Sequence, residues 1–135
     1  MSILIDTKVF LWAAGIDGQL SDSARMLLED PDQPIYFSAV SAWEIAIKWS
    51  KGRLTLPAAP GEFVASVVSA AGLSQLSINI HDSCAVVNLP RHHSDPFDRL
   101  LVAQARNRGL QLMTADPILE KYDVDVIALW LDDDE

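Results

Sequence analysis

Four acidic residues from distant parts of the chain have the types and positions that an oxygen-ligated metal site requires. Asp6 and Asp116 each follow a short apolar run, so both are predicted to stand just past the carboxyl end of a buried strand. Ligands bind at that edge of open parallel sheets. Glu44 and Asp98 fall in helical patterns, and carboxylates are ligands that Mg²⁺ prefers. We therefore expect two strand ends and two helices to bring these four side chains together.

Each of these acids also has a purely structural explanation. Asp6 and Asp116 are natural N-caps for the helices that would follow them. Glu44 stands four residues before Lys48, which is the spacing of a surface ion pair. Asp98 lies at the start of a helix, where the helix dipole favours a negative charge. Since a capping carboxylate keeps oxygen lone pairs for a cation, the structural and metal-binding explanations both stay open.

The elements that must position these residues alternate between apolar runs and helical patterns, which predicts an α/β fold with a parallel sheet. The predicted strands are 2–6, 35–37, 76–80, 111–114 and 124–129. The predicted helices are 7–14, 21–29, 39–50, 60–71, 81–87, 96–107 and a short helix after 117. In the third helix, the stripe that should face the core consists of Ala39, Ala42, Trp43, Ala46 and Ile47.

Length and composition favour one soluble globular domain. A chain of 135 residues buries roughly two thirds of its unfolded surface on folding. We expect one domain over 1–131 and an acidic tail over 132–135. Cys84 is the single cysteine, so no internal disulfide can form, and no zinc-ligand spacing is present. The chain has no basic leader and no long uncharged apolar stretch, so we expect a cytoplasmic protein that does not enter membranes.

The net charge of −9 argues against a phosphate-binding protein, but its distribution matters more than its sum. Four of the nineteen acids form the tail, and four more form the candidate site. Basic residues cluster after Glu44 and around Asp98, so a local positive potential beside an acidic centre is expected. The basic residues concerned are Lys48, Lys51, Arg53, Arg91 and Arg99.

Four segments in the same order resemble the PIN-domain family, specifically the VapC-type ribonuclease toxins of bacterial toxin–antitoxin pairs. The resemblance covers essentially the whole chain, and its second and third segments are the specific ones. The segments are Leu4-Ile5-Asp6-Thr7, the run 38–48 around Glu44, the run 95–105 beginning Asp95-Pro96-Phe97-Asp98-Arg99, and Thr114-Ala115-Asp116.

The resemblance implies a three-layer PIN-like fold with a mainly parallel sheet of four to five short strands. It implies that the four acids bind one or two Mg²⁺ or Mn²⁺ ions, with Asp6, Asp98 and Asp116 as the principal ligands and Glu44 holding a second metal or a water network. The activity implied is hydrolysis of RNA phosphodiester bonds. The partners implied are RNA, a VapB-like antitoxin and a second copy of the chain. Hydroxyls expected to support the site belong to Thr7, Ser38 and Thr114, and the expected phosphate contacts are Arg99, Arg91 and Lys48.

The histidines and tryptophans are given other roles. His92 and His93 are adjacent, so in an extended loop they point to opposite sides and cannot form a ligand pair. We interpret both as loop residues. The tryptophans are too scattered for a stacking platform, and core or interface positions are expected, especially for Trp43. The others are Trp12, Trp49 and Trp130.

Three other functions compete with the ribonuclease. A PIN fold retained as a non-catalytic binding module would keep the same acids. A metal-dependent phosphatase with Asp6 as nucleophile expects a second aspartate two residues later, where this chain has Lys8. A DNA nuclease would share the metal chemistry, but the chain leaves little room for substrate-threading elements.

Overall fold

A five-stranded parallel sheet runs through residues 1–129, the part of the chain that the computed structural model describes. The strands are β1 (Ile3–Ile5), β2 (Ile35–Ser38), β3 (Ser74–Leu76), β4 (Gln111–Thr114) and β5 (Val126–Ala128). The helices are α1 (Thr7–Ala13), α2 (Asp22–Glu29), α3 (Ala39–Ser50), α4 (Pro60–Ala71), α5 (Ile80–Ala85) and α6 (Pro96–Arg108). The predicted α/β class is confirmed. Trp130 and the tail 132–135 lie outside the described residues, and the single domain over 1–131 stays a prediction.

Two apolar cores cover the two faces of the sheet. Successive side chains of a strand point to opposite faces, and β1 shows this directly. Ile3 and Ile5 belong to one buried cluster with Phe10 of α1, whereas Leu4 belongs to a second cluster with Leu101 of α6. Helices therefore pack on both faces, which gives the three layers expected from the sequence.

The strand order β3-β2-β1-β4-β5 places the reversal of the chain path between β1 and β4. From β1 the chain builds outward through β2 and β3, and it then crosses to the other side for β4 and β5. In open α/β sheets, ligands bind in the crevice outside the carboxyl ends of the strands at this point. Asp6 and Asp116 follow the two strands that border it.

The predicted third strand, 76–80, is wrong in position, because the strand covers Ser74–Leu76. The alternating apolar residues Leu76, Ile78 and Ile80 suggested a strand, but Ile80 begins α5 and is exposed. A capping box between Asn79 and Asp82 fixes the start of that helix: each side chain accepts the other residue's backbone N–H. Local capping therefore overrides the period-two pattern.

The predicted core-facing stripe of α3 is wrong for Ala39 and Trp43, which are exposed, whereas Ala42 does pack against the core. Trp43 is 58% exposed, and the buried positions of the helix are Val40, Ser41, Glu44 and Ile45. The helix turns these residues inward because Ser41 and Glu44 contact the buried Thr7 hydroxyl. Trp43 instead packs edge-on against Phe97 at a centroid distance of 5.3 Å.

Candidate active site

Asp6 connects the end of β1 to the start of α1 and is almost fully buried. Its Oδ1 accepts the Val9 backbone N–H at 2.8 Å, so it caps the helix. Its Oδ2 accepts the Thr114 hydroxyl at 2.5 Å, which connects the ends of β1 and β4. Burial raises the pKa of Asp6 to about 6, although the hydrogen bonds from Thr114 and Val9 act against this rise.

Asp116 occupies the equivalent position after β4. It caps the 3-10 turn Pro117–Lys121, because its Oδ1 accepts the Ile118 backbone N–H at 3.0 Å. Its own N–H donates to the Thr114 hydroxyl oxygen at 3.0 Å. Thr114 therefore fixes Asp6 and Asp116 relative to each other. In both Asp6 and Asp116, Oδ1 accepts the capping hydrogen bond. The Oδ2 of each residue contacts a neighbouring side chain instead.

Glu44 reaches the same place from α3, and only 4% of the residue is exposed. Its Oε1 accepts the Thr7 hydroxyl at 2.6 Å, and its Oε2 accepts the Lys48 ammonium at 2.6 Å. The spacing to Lys48 thus does give an ion pair, but the carboxylate belongs to the interior rather than to a solvated surface. Burial lowers the pKa of Lys48, but its hydrogen bond to Glu44 and the charges of Glu44, Asp95 and Asp98 together raise it more, so the net shift is upward.

Asp98 comes from the first turn of α6 and is the least compensated of the four acids. Asp95 caps that helix by accepting the N–H groups of Phe97 and Asp98 at 2.8 and 3.4 Å. Burial, followed by the nearby charges of Asp95 and of the other three site acids, raises the pKa of Asp98 to about 8. Carboxylates concentrated in this way, with too little positive charge beside them, suit a hard divalent cation.

His93 is a site residue that the sequence interpretation missed. Its Nε2 lies 2.9 Å from Asp116 Oδ2 and 3.2 Å from Asp98 Oδ2, and the three ligand-type atoms lie within 4.8 Å of one another. Alternation along an extended loop excludes a pair formed by both histidines. Because adjacent side chains of an extended loop point to opposite sides, one of the two histidines can face the acids. This part of the pattern could have indicated a histidine in the site.

Three predicted supporting or phosphate-contacting residues lie elsewhere. The buried Ser38 hydroxyl donates to Gln104 Oε1 at 2.5 Å and accepts the Val40 N–H at 3.1 Å. Arg99 donates to the carbonyls of Val86 and Pro90 at 3.0 and 2.9 Å, so it anchors the loop before α6. Arg91 is exposed and does not line the acidic cleft.

The four acids lie in a cleft of about 660 Å³ whose rim carries basic residues. Lys8, Lys48 and Arg53 all come from the side formed by α1 and the end of α3. A larger groove of about 750 Å³ between α3 and α4 is mainly apolar and contains none of the four acids. The acidic cleft is therefore the candidate active site.

Trp12 forms part of the same wall of the cleft. A Cβ atom on Gly18 would lie 2.5 Å from Trp12 Nε1, so the loop after α1 passes directly over the indole and requires a glycine there. The Lys8 ammonium lies 5.9 Å from the indole centroid, within cation–π distance. The loop and Lys8 thus hold the indole at the cleft.

Residues 3–125 match the PIN domain family, and the chain belongs to that family. Comparison with curated protein sequences finds no match. No helix within residues 1–129 is long and apolar enough to cross a membrane.

Solved structures share the fold at low sequence identity. VapBC2 from Rickettsia felis, crystallised with a promoter DNA fragment, is 13% identical with a TM-score of 0.70, covering 95% of this chain and 98% of that one. DNA-bound VapBC from Salmonella typhimurium is 15% identical with a TM-score of 0.66, covering 96% and 98%. FitAcB from Neisseria gonorrhoeae is 19% identical with a TM-score of 0.62, covering 95% and 98%.

Proposed function

We propose that this protein is a divalent-metal-dependent endoribonuclease that acts as the toxin of a toxin–antitoxin pair. The observation that carries the proposal is the convergence of four carboxylates from four separate elements in one cleft of a PIN fold. Three of them also have capping or ion-pairing roles. Asp98 does not cap α6, and its charge has no arginine or lysine partner among residues 1–129.

The donor set fits Mg²⁺ or Mn²⁺, since both ions favour carboxylate oxygens and keep part of their coordination shell open. Asp6, Asp98 and Asp116 would hold one ion, and Glu44 would hold a second ion or a water molecule. A bound ion would lower the pKa of a water molecule and neutralise charge that grows on the scissile phosphate.

The chain's own hydroxyls and basic groups do the remaining work. Thr114 and Thr7 hold the carboxylates of Asp6 and Glu44 in fixed orientations through hydrogen bonds of 2.5 and 2.6 Å. Lys8, Lys48 and Arg53 on the rim would bind backbone phosphates and offset the repulsion of the acidic floor. In this proposal Lys8 and Arg53 take the phosphate-contacting role that the sequence gave to Arg91 and Arg99.

Cleavage of labelled total RNA by purified, partner-free protein tests the nuclease. Reactions contain Mg²⁺, Mn²⁺ or chelator, with wild type, Asp6→Asn, Asp98→Asn and the control Asp123→Asn. Asparagine still caps a helix, so Asp6→Asn should stay folded. We expect metal-dependent cleavage by wild type and Asp123→Asn and its loss in the other two variants. Equal behaviour of all four proteins would overturn the proposal in favour of a binding module.

The toxin assignment rests on the fold shared with VapBC and FitAcB structures. The net charge of −9 favours an antitoxin whose contacting segment is basic. We expect the product of an adjacent reading frame to co-purify with the chain and to suppress its RNA cleavage. If no product of a neighbouring gene changes the RNA cleavage, the protein is a nuclease but not the toxin of a toxin–antitoxin pair.

A further inference from the structure

The imidazole of His93 lies between two of the proposed ligands. Its Nε2 is within hydrogen-bonding distance of one oxygen from Asp116 and one from Asp98, at 2.9 and 3.2 Å. Without a group between them, two carboxylates this close would repel each other. The ring therefore stands between the two carboxylates at the wall of the cleft.

The contact made by the other ring nitrogen, Nδ1, indicates which nitrogen of the His93 imidazole carries the proton. The backbone N–H of Asp95 donates to His93 Nδ1 at 3.1 Å, so Nδ1 acts as an acceptor and carries no hydrogen. In a neutral imidazole the proton is then on Nε2. His93 Nε2–H therefore donates to Asp116 Oδ2 at 2.9 Å, and the same nitrogen lies 3.2 Å from Asp98 Oδ2.

The backbone around His93 is held from two directions, so the ring position is built into the fold. The His93 N–H donates to the Tyr122 hydroxyl at 2.9 Å. Arg99 binds the carbonyls of Pro90 and Val86 in the preceding segment. The side chain of His93 is 18% exposed, which leaves the ring little space to move into.

We propose that His93 is a positioning residue: its Nε2–H orients Asp98 and Asp116 for the cation, and the ring itself stays outside the ligand set. The cation is the one required by the proposed function. For Nε2 to become a ligand, the ring proton would have to move to Nδ1, where it would face the Asp95 N–H. Asp98 Oδ1 accepts no hydrogen bond from any residue in 1–129, so that carboxylate can bind a cation while Oδ2 remains with His93.

The first test reads the ring directly, by ¹⁵N chemical shifts of the histidine side chains with and without Mg²⁺. The chain has three histidines, and His81→Gln and His92→Gln variants assign their signals. We expect the Nε2–H form of His93 in the metal-free protein and the same form at saturating Mg²⁺. A change to the Nδ1–H form with a metal-perturbed Nε2 would overturn the proposal, because His93 would then be a ligand.

The second test measures Mg²⁺ affinity by calorimetry for wild type, His93→Ala, His93→Gln and the neighbouring control His92→Ala. Loss of a group that orients metal ligands typically weakens binding by about ten- to hundredfold. We expect that loss in His93→Ala, most of the affinity back in His93→Gln, whose amide keeps an N–H donor, and no change in His92→Ala. Wild-type affinity in His93→Ala, with thermal unfolding confirming the fold, would contradict the proposal.

These outcomes separate the proposal from the proposed function. If wild type binds Mg²⁺ with the expected histidine dependence and cleaves no RNA, the ribonuclease assignment fails and the role of His93 stands. If RNA is cleaved and His93→Ala binds Mg²⁺ normally, the role of His93 fails and the ribonuclease stands.

Discussion

At the scale of single residues, two of the four acids are both helix caps and members of the carboxylate cluster. Asp6 and Asp116 cap the segments that follow them and still present an oxygen to the cleft. The sequence left capping and metal binding both open, and in the structure each of these two residues caps through Oδ1, while Asp6 Oδ2 accepts the Thr114 hydroxyl and Asp116 Oδ2 lies beside His93. Burial, and to a lesser extent the charges of the neighbouring carboxylates, raises the pKa of both Asp6 and Asp98.

The metal-free protein should become less stable as the pH rises from about 4 to about 8. The ordinary pKa of both Asp6 and Asp98 is 3.8, and the folded protein raises these to about 6 and about 8. As the pH rises above 3.8, the unfolded chain releases both protons while the folded protein still holds them. This difference lowers the free energy of unfolding until the pH has passed both raised pKa values.

Thermal unfolding in chelator at several pH values measures this loss, with Asp98→Asn as the comparison. The variant has no carboxylate to ionise, so its melting temperature should fall less than that of wild type in the upper part of the range. Mg²⁺ binds the ionised form, so its affinity for wild type should rise with pH. Identical pH profiles for the two proteins would rule out the raised pKa of Asp98.

At the scale of elements, a second polar network fixes α5 against α6. Asp82 is fully buried and accepts two hydrogen bonds from Arg108, at 2.6 and 2.8 Å, and one from Asn107 at 3.1 Å. Burial raises the pKa of Asp82, but these donors lower it more, and the result is well below the ordinary value. Gln104 extends the network by hydrogen-bonding both Asp82 and Ser38.

Arg108→Met should destabilise the fold by about 2–4 kcal/mol, because it leaves the buried Asp82 carboxylate without its charged partner. Urea unfolding measures this, and Arg106→Met on the exposed side of α6 is the control, with an expected change within about 0.5 kcal/mol. The low folded-state pKa means that this stabilisation is present above about pH 4 and is lost as the pH falls further. Equal destabilisation by Arg108→Met and Arg106→Met would mean that the contact between Arg108 and Asp82 does not stabilise the fold.

Gly18→Ala should disturb the wall of the cleft through Trp12. The new Cβ would lie 2.5 Å from Trp12 Nε1, so the indole or the loop must shift, at an expected cost of about 1–3 kcal/mol. Gly61→Ala is the matched control, because its Cβ meets no atom within 4 Å. Thermal unfolding and tryptophan fluorescence measure the effect. If both variants unfold at the same temperature, the close contact is not a constraint on the fold.

At the scale of the whole molecule, the proposed binding of RNA by a protein of net charge −9 requires a local basic surface. Arg53 lines the cleft, whereas the nearby Lys51 is exposed and does not. In an Asp98→Asn background, Arg53→Ala should weaken the binding of a single-stranded RNA. The slope of log K against the logarithm of the salt concentration should become shallower by about 0.7. Lys51→Ala should change neither, as fluorescence anisotropy at several salt concentrations would show. Equal effects would mean that RNA responds to overall charge.

The sequence by itself determined the fold class and which acids to examine. Apolar runs and helical periodicity follow from local chemistry, so α3 and α4 were predicted with their observed bounds. The order of the four motif segments identified the family, and the same segments contain Asp6, Glu44, Asp98 and Asp116.

Only the tertiary structure decided which polar groups meet. Glu44 turns inward and Trp43 outward because the Thr7 hydroxyl, far away in sequence, offers Glu44 a hydrogen bond. Arg99 lies beside Asp98 in sequence, yet it binds the carbonyls of the preceding loop. His93 reaches two of the acids because that loop folds back against the carboxyl end of β4 and the first turn of α6. Such contacts depend on distances between side chains that are far apart in sequence, and local spacing does not determine these distances.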